Sequence, residues 1–146
     1  MDKIIDEFAS IMGDKISNKI IKKKRLYFEV SNQNLLSVAD HLFNKMGCRL
    51  STATATEVYR GLEVLYHFSH DKTGVYFCPR VVMPDKKNPR MNSISPVVKG
   101  AEWIEREMFE MFGIDFEGHP RKEPLLTLNH PEGLRQPLRY KHVKMN

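Results

Sequence analysis

Residues 50–83, LSTATATEVYRGLEVLYHFSHDKTGVYFCPRVVM, decide the fold class. The stretch is rich in Thr, Val, Tyr and Phe, side chains that suit a pleated, half-buried surface. Arg60-Gly61 and Asp71-Lys72-Thr73-Gly74 interrupt it with turn chemistry. Three strands are predicted, over 50–59, 62–69 and 75–83, and an antiparallel meander is the economical way to join them. The run STATATEV has little side-chain bulk, which fits a strand packed closely beneath a helix.

Outward from the meander, the hydrophobic period changes. Ile4, Ile5, Phe8, Ile11 and Met12 recur at helical spacing, and Gly13 ends that helix. Residues 25–30 read as a further strand. Ser31 or Asn32 caps a second helix built on Leu35, Leu36, Ala39, Leu42, Phe43 and Met46, closed by Gly47. Residues 84–96 hold three prolines and read as a surface loop. Its last part, Ser93-Ile94-Ser95-Pro96-Val97-Val98, offers a serine cap with proline at the first position of a short helical turn, which Gly100 separates from the next helix. The expected fold is α+β: one domain over 1–120, with a small, mainly antiparallel sheet flanked by helices. Residues 121–146 form an extended basic tail carrying Pro124, Pro131 and Pro137.

The helix that follows, AEWIEREMFEMF from Ala101, is amphipathic but interrupted. At about 100° per residue, Ile104, Met108, Met111 and Phe112 share one broad face with Trp103 at its edge. Glu107 falls between Trp103 and Met111, and Glu105 between Phe112 and Phe109. A carboxylate among aromatic and Met side chains loses hydration and needs a cation or several donors in exchange. Arg106, His119, Arg121 or an arginine of another chain are the candidates. Gly113 stands where a left-handed residue stops a helix. Ile114 and Phe116 continue as an extended strap, and Gly118-His119-Pro120 turns the chain away. Two readings of this segment stand side by side: a core helix with a salt bridge at its rim, and a docking helix whose apolar stripe and charges meet another subunit.

Hydrophobic residues make up 41% of the 146-residue chain and charged residues 28%, which excludes global disorder. The net charge of +5 suits nucleic acid, an anionic membrane surface or an acidic protein, and charge alone does not choose. Lys22-Lys23-Lys24-Arg25 is its densest run and reads as a solvated face or helix end. No stretch approaches the roughly 20 apolar residues that cross a bilayer, and the acidic N-terminal segment is not a secretory signal, so the expected address is cytoplasmic.

Chemistry-bearing motifs are sparse. Cys48 and Cys78 are far apart and cannot supply an all-cysteine iron–sulfur cluster, and reduced, buried thiols are expected. His67 and His70 lie three apart on a strand, hence on opposite faces, and no zinc spacing occurs among the six histidines. GxSxG, GxxxxGK[ST] and GxGxxG are all absent. No nucleophile, base and oxyanion donor can be assigned.

Residues 93–120 carry SIS, the Glu-Trp pair, ERE, MFGI, a phenylalanine and GHP in that order. This compound pattern resembles the 30-kilodalton subunit family of respiratory complex I, including the equivalent subunit of energy-converting membrane-bound nickel–iron hydrogenases. Pro137-Leu138-Arg139 echoes a further motif of that family, though the surrounding GLRQPLRYKH departs from its commoner form. The resemblance implies a small α+β domain acting as a non-catalytic structural subunit in the peripheral arm of a membrane-associated electron-transfer complex. It implies docking against a hydrogenase-like or quinone-reductase-like large subunit and an iron–sulfur small subunit. The clusters, and the nickel–iron or quinone site, would then belong to those partners and none to this chain. Membrane association would come only through the complex, on the cytoplasmic face, with no nucleic acid bound. The interface residues would be Trp103, Met108, Met111 and Phe112 as apolar anchors and Glu105, Arg106 and Glu107 setting register. Gly113, His119 and Pro120 would lead the strap. The short tail leans the expectation toward the compact hydrogenase type. The rivals from other classes are a basic nucleic-acid-binding module and a small stand-alone enzyme.

Overall fold

The structure, a computed structural model, describes residues 2–120. The expected tail over 121–146, and Arg121 as a partner for the interrupted helix, lie outside the described residues. In chain order the elements are α1 (Asp2–Met12), β1 (Ile16–Lys22), β2 (Arg25–Val30), α2 (Leu35–Asp40), β3 (Arg49–Val58), β4 (Gly61–His70), β5 (Val75–Met83), β6 (Arg90–Asn92), α3 (Ala101–Phe112) and β7 (Asp115–Glu117). Five strands form one sheet in the order β1-β2-β5-β4-β3, and β6 pairs with β7.

The class is α+β with a mainly antiparallel sheet, as the meander requires. β3, β4 and β5 pair antiparallel in sequence order. β2 and β5 nevertheless run parallel, because the chain passes through α2, β3 and β4 before β5 returns beside β2. Pairing of β5 with β4 lapses between Leu65↔Arg80 and Phe68↔Phe77, where Pro79 has no N–H to give. At the β3–β4 turn Gly61 has φ 142°, and any Cβ there would lie 2.1 Å from the Met83 carbonyl oxygen. No side chain fits that approach.

The register puts the buried Leu26, Phe28, Leu62, Val64, Tyr66, Phe68 and Phe77 on one face. The helices cover that face. Phe8 of α1 stands 5.3 Å from Phe28 and 4.8 Å from Phe77, ring to ring, while α3 bonds Tyr66 through Glu105. The opposite face carries charge, with Arg60 2.9 Å from Glu63 and 3.2 Å from Glu29.

Several expectations are corrected. β1 has no counterpart in the sequence reading, because only Ile16 of its seven residues is buried and no alternation betrays it. The basic run is the solvated face expected of it, with Lys22, Lys23 and Lys24 exposed, and lies at the hairpin turn between β1 and β2 and not at a helix end. α2 does not take its cap from Ser31 or Asn32: Asn34 occupies the cap position without a side-chain cap bond. Asn32 instead accepts from the Asn92 N–H at 2.6 Å and ties down β6. Past Asp40 the helix widens into a π turn, His41–Lys45.

The loop expected over 84–96 contains β6, with Met91, Ser93, Ile94 and Ser95 all buried. The short helical turn expected there is present, with the Val97 and Val98 N–H groups on the Ile94 carbonyl; the Ser93 hydroxyl accepts from the Ser95 N–H at its start and also donates to Glu105 of α3. The strap expected after Gly113 is β7, parallel to β6, with Ile114 and Phe116 buried.

Candidate functional site

Helix α3 begins after Gly100 and ends at Gly113, whose φ of 77° is the left-handed stop the sequence predicts. Its side chains divide three ways. Glu105, Arg106, Met108 and Glu110 are buried, Trp103 stands exposed on an outer flank with the Arg106 guanidinium beneath it, and Ile104, Glu107, Met111 and Phe112 border a cleft.

Glu105 is fully buried. Its carboxylate accepts from the Tyr66 hydroxyl at 2.8 Å and from the Ile94 N–H at 3.0 Å. The Ser93 hydroxyl donates to it at 2.5 Å, and Ser93 in turn accepts from the Ser95 N–H at 3.0 Å. His119 Nε2 lies 4.0 Å from the same carboxylate and 2.9 Å from the Glu102 carbonyl, which can only accept. One acid thus joins the sheet, the 93–95 turn, α3 and the Gly-His-Pro turn. Burial raises the Glu105 pKa above its ordinary value. The Ser93, Ile94 and Tyr66 donors and the His119 charge pull the other way without cancelling it. Burial, and then the charge of Glu105, push the Tyr66 phenol well above its usual range.

A carboxylate closed off from solvent and filled with donors of its own chain is a structural tie. The sequence reading correctly places Glu105 among donors and names His119, but misses Tyr66, Ser93 and Ser95. A signal for Tyr66 exists: it stands on the inward parity of β4, where a buried phenol needs a partner.

Glu107 is exposed, which corrects the expectation that it is shielded from water. It sits at the rim of a cleft of about 200 Å³ between α3 and β3, lined by Ala53, Thr54, Ala55, Ile104, Met108, Met111 and Phe112. The low bulk of STATATEV leaves this space. Trp103 is 61% exposed and so is no part of this domain's own core. The Arg106 guanidinium lies 5.3 Å from its ring centroid. Pro120 is exposed at the end of the described chain. The interface residues expected from sequence therefore fall into a cleft group, an exposed Trp103 backed by the buried Arg106, and an internal anchor, not one continuous stripe.

Cys48 and Cys78 are free and buried, and burial pushes both thiols up to about 11, far from the reactive thiolate. Among the described residues no group of three or more His, Cys, Asp or Glu side chains gathers as a metal site. Among the same residues no helix is long and apolar enough to cross a membrane.

Comparison with known proteins bears on this arrangement. The family model described as "Respiratory-chain NADH dehydrogenase, 30 Kd subunit" matches residues 28–145. A subunit of the NADH-quinone oxidoreductase of Roseobacter denitrificans is 32% identical over 115 residues, covering 73% of this chain and 56% of that protein. The corresponding protein of Ruegeria pomeroyi is 35% identical over 108 residues, covering 70% of this chain and 53% of that one. The chain thus spans about half the length of curated relatives of this kind. Among solved structures, a chain of the membrane-bound sulfane sulfur reductase, an archaeal respiratory membrane complex, superposes with a TM-score of 0.80 at 22% identity, covering 93% of this chain and 81% of that one. A trypsin-resistant fragment of Nqo5 gives 0.66 at 20% identity, over 82% of this chain and 97% of that one. At these identities the two structures establish likeness of fold.

Proposed function

The chain belongs to the respiratory-chain NADH dehydrogenase 30 Kd subunit family, and from that premise we propose that it is a non-catalytic structural subunit in the peripheral arm of a membrane-associated electron-transfer complex. It docks against a large subunit of hydrogenase or quinone-reductase type and against an iron–sulfur small subunit. Those partners hold the clusters and the nickel–iron or quinone site, and this chain holds none. It lies on the cytoplasmic side through its complex.

The observation that carries the reading is the outer flank of α3. Trp103 is 61% exposed above the buried Arg106 guanidinium, and tryptophan is among the side chains most enriched where protein interfaces draw their energy. In this role Trp103 fills a pocket of the partner while Arg106 braces its ring, and the cleft between β3 and α3 receives one of the partner's apolar side chains. The Glu105 network holds the helix in place, so little is lost to ordering on assembly. His119 and Pro120 lead the following chain toward the neighbour.

The test is affinity purification of the tagged chain in mild detergent with mass spectrometry. Recovery of an iron–sulfur small subunit and a hydrogenase-like or quinone-reductase-like large subunit is expected. Recovery of nucleic acid in their place, with affinity falling steeply as salt rises, would overturn the reading.

A further inference from the structure

The hairpin between β1 and β2 reads KIIKKKR from Lys19 to Arg25. We propose that its tip contacts an anionic lipid surface, with the lysine ammonium groups on phosphate headgroups and Ile20 at the acyl boundary. This goes beyond attachment through the complex and does not rest on docking through α3.

Charge complementarity comes first. Lys19, Lys22, Lys23 and Lys24 are all exposed, and among the described residues none has an ion pair. Lys22, Lys23 and Lys24 border an open hollow of about 550 Å³ completed by Arg25, Tyr27, Gly74 and Tyr76. Apolar surface lies beside the charge, since Ile20 is 48% exposed; Ile21, paired with the buried Leu26, turns to the helix-side face. Pairing of Ile20 with Tyr27 and of Arg25 with Tyr76 puts Ile20 and the hollow on the sheet face away from the helices. Basic, aliphatic and tyrosine side chains in one patch are what a headgroup layer accommodates.

The backbone gives an independent pointer. Lys23 has φ 55°, in the left-handed region, where glycine or asparagine is at ease and a lysine is strained. Lysine on an edge strand deters strand addition, but Lys19 and Lys22 already serve that purpose within β1. A third and fourth lysine at the turn, one against the backbone preference, point to a use for charge at the tip.

The same features disfavour the other anionic partners. Arg25 covers the Tyr76 ring at 4.2 Å, leaving that face closed to a stacking base. A protein strand adding to β1 meets the irregularity between Ser17 and Ile20.

The probe is sedimentation of the full 146-residue chain with vesicles of phosphatidylglycerol and phosphatidylcholine, against phosphatidylcholine alone, at low and high salt. Binding to the anionic vesicles only, weakened by salt, is expected. Each lysine near such a surface contributes roughly fivefold. Lys23→Gly should therefore weaken binding about fivefold while its melting temperature holds or rises, because the turn relaxes. Ile20→Ser should weaken binding with the melt unchanged. The proposal fails if the wild type does not sediment, binds neutral vesicles equally, prefers duplex DNA at matched phosphate, or is displaced by inorganic phosphate at matched concentration. It fails equally if the variants bind like the wild type. Protection of Lys22, Lys23 and Lys24 from acetylation in the lipid-free, detergent-solubilised complex would assign the patch to a protein neighbour and overturn it too.

Discussion

Tyr66 of β4 and Glu105 of α3, 39 residues apart in sequence, meet through a buried hydrogen bond of 2.8 Å. That bond sets where α3 sits on the sheet. Removing a carboxylate from water costs several kcal/mol, and here the return comes from donors on separate segments that must all be in place. The helix can therefore occupy one position only. A rigid helix is the condition for presenting Trp103 to a partner without a large ordering cost.

Tyr66→Phe keeps the ring and deletes the donor. A hydrogen bond to a charged group contributes about 1.5–3 kcal/mol, and the carboxylate stays buried with only the Ser93 and Ile94 donors left to it. Urea denaturation of the full chain is expected to show a loss of that order, with the slope unchanged. A loss below about 0.5 kcal/mol would show that water or another donor replaces the hydroxyl.

The pH dependence of Glu105 has a definite sign. Its folded pKa is raised from 4.5, so between 4.5 and that higher value the native state binds more protons than the unfolded state. Its contribution is fully present below the unfolded pKa and is lost as pH rises through the folded pKa. Glu105→Gln removes this titration. The difference in melting temperature, wild type minus Glu105→Gln, should fall as pH rises from about 4.5. A difference that grows with pH would mean that the donors outweigh burial.

Much of the fold is legible in the sequence because period and turn chemistry are local. Residues 25–30 and 75–83 are bounded by sequence as they stand in the structure, and Gly113 stops α3 through a left-handed φ of 77°. β1 is illegible because an exposed edge strand with a single buried residue carries no alternation. β6 is hidden by prolines on either side, and its stability comes from Asn32, 60 residues away from Asn92. The site is half legible. Amphipathic spacing exposes the misfit of Glu105, whereas its partners Tyr66 and Ser93 are set by tertiary packing. Glu107 is misread because a helical wheel cannot tell the centre of a buried face from the rim of a cleft.

Met108 and Trp103 should separate stability from assembly. Met108 is 4% exposed, so Met108→Ala is expected to cost about 2–5 kcal/mol in the isolated chain. Trp103 is 61% exposed, and Trp103→Ala should change isolated stability by no more than about 0.5 kcal/mol. Under the docking proposal the same variant loses on the order of 2 kcal/mol of partner affinity, about thirtyfold, read as lowered complex recovery. Unchanged recovery with a folded Trp103→Ala chain would remove Trp103 from the interface.

Ala55→Leu tests the cleft itself. Ala55 lines the space of about 200 Å³ between β3 and α3, room enough for the added methylenes without driving Met108 or Phe112 off their positions. Each newly buried methylene contributes up to about 0.8 kcal/mol, so thermal stability of the chain should hold or rise. A partner side chain that enters the cleft would then be shut out, and complex recovery should fall although the subunit is no less stable. If recovery is unchanged, the cleft is not a docking pocket and contact is confined to the Trp103–Arg106 flank. If stability drops instead, the cleft is narrower than its lining suggests, and Ala53→Ser, which adds a single polar atom at the same wall, separates crowding from blocked docking.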